Sequence, residues 1–468
     1  MKLSVKIILS CLLLTVTTAQ AKSDYKEEIL QEILSELRGV TGVAGFSLVV
    51  IKKGKAVANI SSGFVDKNLS KPVTSEHLFR LASVSKVIGA TMIADLIQQG
   101  KMSPDDRVIK WLPELAEHYQ GITVRQLINH TSGIPHYQAI DVCCWSKQYQ
   151  TAVDSLEVLK NRALLFSPGE NYQYSSFAYS VLGALYERVA KKTISEGVRQ
   201  FISQLSGQKS PKVENVTQRN SLRSNLFEQS HTLPKSKKFD NKSYTTLGGG
   251  LTSSAMGLAL FGDAVLHNDY LLKETHSLLF TIPNSGISTG NRLYEMGFGW
   301  RVGQDFYGNL VYHHSGVTLG GRSFLVLYPE LGITLAFLSN TSWTAQMETN
   351  AFSLIQLIFN TKFDFSSPNS LILVGSFDDQ SIQAELSCTS ASCLFVEHSN
   401  VISAWLNRFN QASNRKSADA QRSWSAYKTT NGIALITSIG VVYLKYEQGQ
   451  WIGKIGSQRN IILSSEKP

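Results

Sequence analysis

Ser83 and Lys86, three residues apart in Phe79-Arg80-Leu81-Ala82-Ser83-Val84-Ser85-Lys86, are a pair whose types and spacing could do nucleophilic chemistry. A serine hydroxyl is a weak nucleophile until a base takes its proton, and a lysine can take it once burial or neighbouring cations lower its pKa. The next stretch must hold the two side chains together. Met92, Ile93, Leu96 and Ile97 have helical spacing, which predicts a helix beginning near Ser83 and stopping at Gly100. Lys86 then shares a face with Ser83, and the helix N-terminus leaves a backbone N–H there to donate to an anion. Alone, Ser-x-x-Lys is a weak signal, because it recurs by chance and also describes a helix cap followed by a solvated lysine.

Two later stretches carry compatible chemistry. Phe166-Ser167-Pro168-Gly169-Glu170-Asn171-Tyr172-Gln173-Tyr174-Ser175-Ser176 contains a Pro-Gly turn, which projects Tyr174 from a loop where its phenol can share protons with Ser83 and Lys86. His313-His314-Ser315-Gly316 falls at the end of one strand, before Gly320-Gly321 and another strand. An edge strand there could offer a backbone N–H, and glycine allows a substrate close approach.

The elements around these residues read as follows. Asp24 to Leu37 is an amphipathic helix with Ile29, Leu30, Ile33, Leu34 and Leu37 on one face. Gly45 to Lys52 and Ala56 to Gly63 form a hairpin across Lys53-Gly54-Lys55. From Lys101 to about Lys242 the pattern is helices and loops without convincing strands, including Val124 to Asn129 and Ser180 to Val189. Strand character returns at Phe298 to Val302, Val311 to His314, Ser323 to Tyr328 and Gly332 to Leu338, and a helix runs from Trp343 to Phe359. Strands at both ends of a segment with helices between them predict an antiparallel sheet completed by the late strands, an α+β class. After Asp364-Phe365-Ser366-Ser367-Pro368, short runs at Leu371 to Val374, Ile382 to Ser387, Leu394 to Val396, Ile433 to Ile436, Val441 to Tyr446 and Trp451 to Ile455 predict a β-rich domain, while the polar segment Asn410 to Arg422 reads as a loop or exposed helix.

The 468-residue chain is long enough to bury a large core and to hold two or three units. Lys2 and Lys6, the apolar run Ile7 to Val16 and Ala19-Gln20-Ala21 read as an export signal over 1–21, followed by a unit over 22–362 and a β-rich unit over 369–468. Cys11 lies inside the apolar run with further leucines after it, which disfavours a lipid-anchored cysteine. The expected product is exported, periplasmic or secreted, with no integral membrane segment once the signal is removed. Without Lys2 and Lys6 the formal charge falls from +9 to +7, a mild excess that gives no argument for nucleic acid. Lys235, Lys237, Lys238 and Lys242 read as a solvated loop. Cys388 and Cys393 flank a short polar loop and could close a small bridge in an oxidising compartment, whereas adjacent Cys143 and Cys144 read as buried thiols. No cysteine-histidine spacing suggests a metal site, and no cofactor is expected.

In this order, Ser83-Val84-Ser85-Lys86, Tyr174-Ser175-Ser176 and His314-Ser315-Gly316 resemble the Ser-x-x-Lys, Tyr-x-Asn and Lys/His-Thr-Gly motifs of the penicillin-recognising serine hydrolases. The nearest flavour is the group containing class C β-lactamases, D-alanyl-D-alanine carboxypeptidases and the mitochondrial serine β-lactamase-like protein. Ile128-Asn129-His130-Thr131-Ser132-Gly133-Ile134-Pro135, Gly248-Gly249-Gly250-Leu251 and Gly297-Phe298-Gly299-Trp300 look like that group's recurring stretches, so the likeness covers about Gly45 to Phe359. It implies a five-stranded sheet packed by helices, a helical subdomain beside it, and a site between them.

The resemblance also implies acyl transfer. Ser83 would attack a carbonyl, Lys86 and Tyr174 would move protons, and the backbone N–H groups of Ser83 and Val317 would hold the oxyanion. Which of Lys86 and Tyr174 deprotonates Ser83 stays open. Ser176, His314, Ser315 and Gly316 would contact substrate. Ser176 stands where many relatives have asparagine, and His314 replaces the lysine typical of true β-lactamases; both departures shift the expectation toward peptidase- or esterase-like members. His130 and His136 read as loop braces, His313 as a strand residue, and Arg322 as either a carboxylate contact or a surface charge. The leading expectation is an exported serine hydrolase acting on amide bonds of D-amino-acid peptides or cell-wall fragments, a small peptide or ester being the partner. Alternatives are an esterase or weak β-lactamase on the same machinery, and a non-catalytic binding or scaffold protein. The β-rich domain suits a carbohydrate- or protein-binding module or a stabilising cap.

Overall fold

The computed structural model describes residues 27–138, 141, 147–229, 234–342, 347–359, 370–389, 392–412, 422–456 and 459–466. The export-signal reading, Cys11, Cys143 and Cys144 lie outside them. The apolar face of the helix at 27–41 (α1) is buried on the sheet through Ile29, Leu30, Ile33, Leu34 and Leu37, as its spacing predicts. Gly45–Lys52 (β1) and Lys55–Gly63 (β2) form the hairpin, turning through Lys53 and Gly54 at positive φ, the geometry that follows the twist of the two strands. β1 is buried along all but its last residue because both faces are covered. Phe46, Leu48 and Val50 join one core with α1, while Val49 and Ile51 join the core of the helical side.

Ser85–Gln98 (α2) lies in that second core and ends ahead of Gly100, whose φ of +67° releases the chain. Ser176–Ala190 (α3), Ile194–Ser206 (α4), Ala255–His267 (α5) and Lys273–Phe280 (α6) complete the helical layer. This section also contains the short strands Lys212–Val213, Leu226–Glu228 and Lys235–Lys237, contrary to the strand-free expectation. Two or three residues are too few to display a period of two. The lysine-rich loop is only partly solvated: the Lys242 side chain is 10 % exposed and pairs with Asp240 at 2.6 Å.

The late strands are Tyr294–Met296 (β3), Arg301–Gln304 (β4), Leu310–Thr318 (β5), Gly321–Tyr328 (β6) and Ile333–Ser339 (β7). They close an antiparallel sheet of order β2-β1-β7-β6-β5-β4-β3, with Phe46 opposite Ser339 and Lys52 opposite Ile333. The sheet has seven strands where five were implied, β3 and β4 extending the edge beyond β5. β4 starts at Arg301 and not Phe298, because Gly297 N–H bonds to Trp300 O across a turn with Gly299 at φ +78°. The third motif also sits within β5, which continues to Thr318 instead of ending at the motif.

Met347–Phe359 (α7) covers the outer face of the sheet. Beyond it Ser370–Phe377 (β8), Gln380–Cys388 (β9), Cys393–Glu397 (β10), Ser423–Thr429 (β11), Gly432–Thr437 (β12), Gly440–Glu447 (β13), Gln450–Ile455 (β14) and Arg459–Ser465 (β15) form a closed antiparallel barrel. β15 pairs back on β8, so the barrel has no free edge. Cys388 and Cys393 are disulfide-bonded across the β9–β10 turn. Val401–Ala412 (α8) lies between β10 and β11 and contributes Ile402 and Leu406 to the core. One continuous apolar cluster runs from the outer face of the sheet through α7 into the barrel. The architecture is therefore α+β with a small β-rich C-terminal part.

Candidate active site

Ser83 lies in a single 3₁₀ turn, Ala82–Val84, immediately before α2. The turn is tied down on both sides: Leu81 N–H donates to Leu251 O at 3.0 Å, and Ser323 Oγ of β6 donates to Leu81 O at 2.6 Å. Ala82 takes the left-handed conformation at φ 44°, an uncommon geometry for a residue with a Cβ that aims the following serine out of the turn. β5 passes close behind it. A Cβ added to Gly316 would meet Leu81 O and Ser323 Oγ, each at 2.2 Å, so only glycine lets the third motif approach the nucleophile turn this closely.

Lys86 is fully buried, and its Nζ lies 3.3 Å from Ser83 Oγ, 2.9 Å from Ser176 Oγ and 2.5 Å from Gly248 O. No carboxylate pairs with it among the described residues. Burial, together with the positive charge of Arg301, holds its pKa well below the ordinary lysine range. The consequence is geometric as well as electrostatic. A neutral amine has two N–H donors and one lone pair, and the Gly248 carbonyl can only accept. Of the two serine hydroxyls, one must therefore donate to the lone pair.

Tyr174 covers the same pair. Its ring centroid is 4.8 Å from Lys86 Nζ, and its phenol engages Ser83. Burial raises its pKa, with Arg301 and Ser83 opposing the shift, so the phenol stays protonated near neutral pH. The loop behind it is braced by two histidines. His130 Nδ1 accepts from Ser175 N–H at 3.1 Å, its ring 4.4 Å from that of Tyr174, and His136 Nδ1 accepts from Ser176 N–H at 3.0 Å. Ser175 caps α3 by accepting from Ala178 N–H, which fixes Tyr174 just outside the helix and Ser176 just inside it. Burial pushes the His130 pKa well down and that of His136 to about 4, so both rings stay neutral acceptors.

The third motif joins from β5. His314 is fully buried, its Nδ1 2.7 Å from Ser315 O and its ring 6.3 Å from that of Tyr174. Burial, with the charge of Arg301, holds its pKa well down, so it carries no cation into the site. Val317, 53 % exposed, lies past the last β4–β5 pair, on the stretch of β5 beside the Ser83 turn. Ser83, Lys86, Tyr174, Ser176, His314, Ser315, Gly316 and Val317 thus converge from three separated stretches of chain. His313 faces the other way, against Phe324 and Phe352. Arg322 is half-buried on that opposite face, near Glu348.

Two participants had no sequence assignment. Gly248 offers its carbonyl to Lys86, in a glycine stretch where a Cβ would meet Thr245 Oγ1 at 2.2 Å. Arg301 on β4 donates from Nη1 to Ser315 Oγ at 2.9 Å. Its position directly after the Gly297-Phe298-Gly299-Trp300 stretch was the available signal, once β4 is paired with β5 so that Arg301 faces His313.

A buried, charge-unpaired lysine, a serine on a strained turn and a buried phenol are the equipment of a serine acyl-transfer site. The family model named Beta-lactamase matches residues 30–358, and the chain belongs to that family of serine hydrolases. It is 25 % identical to penicillin-binding protein 4* of Bacillus subtilis over 72 % of this chain and 76 % of that protein. It is 26 % identical to esterase EstB of Burkholderia gladioli over 68 % of this chain and 90 % of that one. The octameric penicillin-binding protein homologue from Pyrococcus abyssi superposes with a TM-score of 0.63 at 18 % identity, covering 93 % of this chain and 99 % of its own. That coverage shows a shared fold reaching past the sheet and helices into the barrel.

Among the described residues no helix is long and apolar enough to cross a membrane.

Proposed function

We propose that this protein is an exported serine hydrolase that forms an acyl-enzyme on Ser83, with amide bonds of D-amino-acid peptides or cell-wall fragments as its substrate class. The observation that carries the reading is Lys86: buried, without a carboxylate, and 3.3 Å from Ser83 Oγ. The neutral amine accepts the Ser83 proton as Oγ bonds to the substrate carbonyl carbon. The resulting oxyanion lies between the backbone N–H groups of Ser83 and Val317. Tyr174, held protonated by burial, donates to the leaving nitrogen as the C–N bond breaks and is reprotonated through Lys86. Water then attacks the ester carbonyl and restores Ser83. The opposite pKa shifts of Lys86 and Tyr174 favour lysine as base and tyrosine as acid.

The disulfide between Cys388 and Cys393 supports export, since such bonds persist in oxidising compartments. The likeness to a penicillin-binding protein supports the peptide reading. A second reading, an esterase on the same residues, is favoured by one observation: Ser176 spends its side chain on Lys86 and offers no amide to a peptide carbonyl. Incubating the protein with a fluorescent penicillin and with a short acyl p-nitrophenyl ester, then measuring intact mass, tests both. An adduct of one acyl group located on Ser83 is expected. Labelling by the ester alone selects the esterase reading, and labelling by neither refutes the hydrolase account.

A further inference from the structure

A polar cavity of about 210 Å³, partly open to solvent, has Tyr149, Glu187, Glu214, Lys242, Thr246 and Gly250 on its walls, and none of Ser83, Lys86 and Tyr174 lines it. It is smaller than the roughly 300 Å³ at which pockets begin to hold drug-sized ligands. Four charged side chains are linked beside it. Glu214 Oε2 pairs with Arg80 Nε at 2.8 Å, Arg80 Nη1 with Asp240 Oδ1, and Asp240 Oδ2 with Lys242 Nζ at 2.6 Å. The two inner members, Arg80 and Asp240, each have a partner of opposite charge on both sides. The two ends, Glu214 and Lys242, have one each, and both ends line the cavity.

Each end has hydrogen-bonding capacity left over. The Glu214 side chain is 4 % exposed, and its Oε1 has no hydrogen-bond partner among the described residues. A carboxylate oxygen in that position costs free energy unless a donor reaches it. At the other end the Lys242 side chain is 10 % exposed, and an ammonium carries three N–H donors where one carboxylate oxygen can take only some of them. Glu187, the other carboxylate on the wall, does not compete for a donor, because it already accepts from Ala152, Val153 and Ile194 N–H. An acceptor in want of a donor and a cation with donors to spare, on one small cavity, complement a molecule that carries both charges.

We propose that this cavity is a second binding site, which takes a small free amino acid as its zwitterion, the ammonium on Glu214 Oε1 and the carboxylate on Lys242. The proposal goes beyond the hydrolase reading and uses none of its residues. Bound in this way, the ligand closes the chain of charges: Glu214, Arg80, Asp240 and Lys242 alternate in sign, and the ligand carboxylate and ammonium continue the alternation back to Glu214. A ligand with a single charge leaves one end open. Hydrogen bonds to charged groups contribute more than those between neutral groups, so both ends of the zwitterion count toward affinity.

The test titrates the full chain with D-alanine, D-alaninamide and N-acetyl-D-alanine, reading heat by calorimetry and the rise in unfolding temperature. The first probe carries both charges, the second only the ammonium and the third only the carboxylate. D-Alanine is expected to bind with a Kd below about 10 mM, and each of the others at least about 10-fold more weakly. Lys242→Gln should lose about 10-fold in affinity for D-alanine, and Lys242→Arg should keep most of it, since the charge stays. Equal affinity for the three probes, or an affinity for D-alanine that a folded Lys242→Gln leaves intact, would put the ligand elsewhere, the active site included. Neither heat nor a thermal shift with D-alanine up to about 50 mM would mean that water alone meets the free oxygen of Glu214. Each of these results overturns the inference, and the comparison of probes on the wild-type protein stands even if a variant fails to fold. The titration reads binding and not turnover, so its failure leaves the Ser83 reading in place; that reading falls only if the covalent adduct is missing.

Discussion

The helical side of the molecule and the barrel each bury an ionisable group completely, and they treat it in opposite ways. In the barrel half, Glu397 at the end of β10 is 1 % exposed and accepts from Val401, Ile402 and Ser403 N–H and from the hydroxyls of Ser399 and Ser403. It is a carboxylate at the N-terminus of α8, where free backbone donors and the helix dipole both welcome negative charge. Lys86 is equally buried, yet its partners are two hydroxyls and one carbonyl, with a second cation nearby. A buried group that is satisfied in its charged form holds a fold together. One that burial and a neighbouring cation push toward its neutral form is a base kept ready, and its cost is carried by the surrounding core.

The sharpest break in that comparison is chemical. Ser83→Ala is expected to lower turnover by roughly 10⁴-fold or more and to abolish the covalent adduct, while the circular dichroism spectrum stays that of the folded protein. An adduct that survives the substitution would move the nucleophile elsewhere. Lys86→Met comes next, with a loss on the order of 10²- to 10⁴-fold in acylation rate. Its stability should move the other way. The folded-state pKa of Lys86 lies below its unfolded value, so between the two the unfolded chain binds a proton that the folded chain does not. Stability from this group therefore rises with pH across that window and is lowest below the folded pKa. Lys86→Met should unfold at the same or a higher temperature than the wild type at mildly acidic pH, with a flatter dependence of unfolding temperature on pH. A lower unfolding temperature at every pH would mean that the amine is a structural donor first.

Different parts of this molecule were legible in its sequence to different degrees, for physical reasons. The three motifs could be read in order because each needs particular residue types at short spacing. The sheet could be inferred because β1, β6 and β7 are buried on both faces and so read as apolar runs. Within the barrel, six strands showed as dense apolar runs, whereas Ser423–Thr429 and Arg459–Ser465 did not. In the first, serines interrupt the buried Trp424, Ala426 and Tyr427; in the second, only Ile461, Ile462 and Leu463 are apolar, between polar ends. Closure of the barrel was not readable either, because the β8–β15 pairing joins segments about as far apart as the barrel allows. Arg301 escaped for a related reason. Its contacts are a cross-strand diagonal to Ser315 and an approach to Glu348 of a helix from beyond the sheet, neither of which leaves a local signature.

A smaller effect tests the structural half of the comparison. Glu397→Ala should destabilise the barrel by about 2–3 kcal/mol, because it strands several α8 N–H donors at once while removing their acceptor. Turnover per folded molecule should be unchanged. A fall in kcat at temperatures where the protein is fully folded would instead show that the barrel's cap is coupled to the site, and the clean division between the two buried ionisable groups would be lost.

The smallest predicted effect probes the seam between the two halves. Asn350 on α7 accepts from Val441 N–H at 2.9 Å, and a Cβ at Gly440 would meet its side-chain oxygen at 2.1 Å, so this amide sits against the β12–β13 turn of the barrel. Three nearby contacts knit the same seam: Tyr307 Oη to Tyr443 O at 3.0 Å, Tyr427 Oη to Glu36 Oε2 at 3.0 Å, and Lys454 over the Phe306 ring at 5.6 Å. Phe306 and Tyr307 belong to the turn of the β4–β5 hairpin, whose opposite end carries Arg301 and Ser315, and α7 also bears Glu348. The barrel thus grips both elements that set the Arg301 guanidinium. Asn350→Ala should cost about 1–2 kcal/mol, read as a lower unfolding temperature, because the Val441 N–H loses a buried acceptor. If the seam only adds stability, kcat/KM per folded molecule will not change. A changed kcat/KM at temperatures where the variant is fully folded would mean that the barrel acts on the site through α7 and the hairpin, and that the structural half of this molecule reaches into the chemical one.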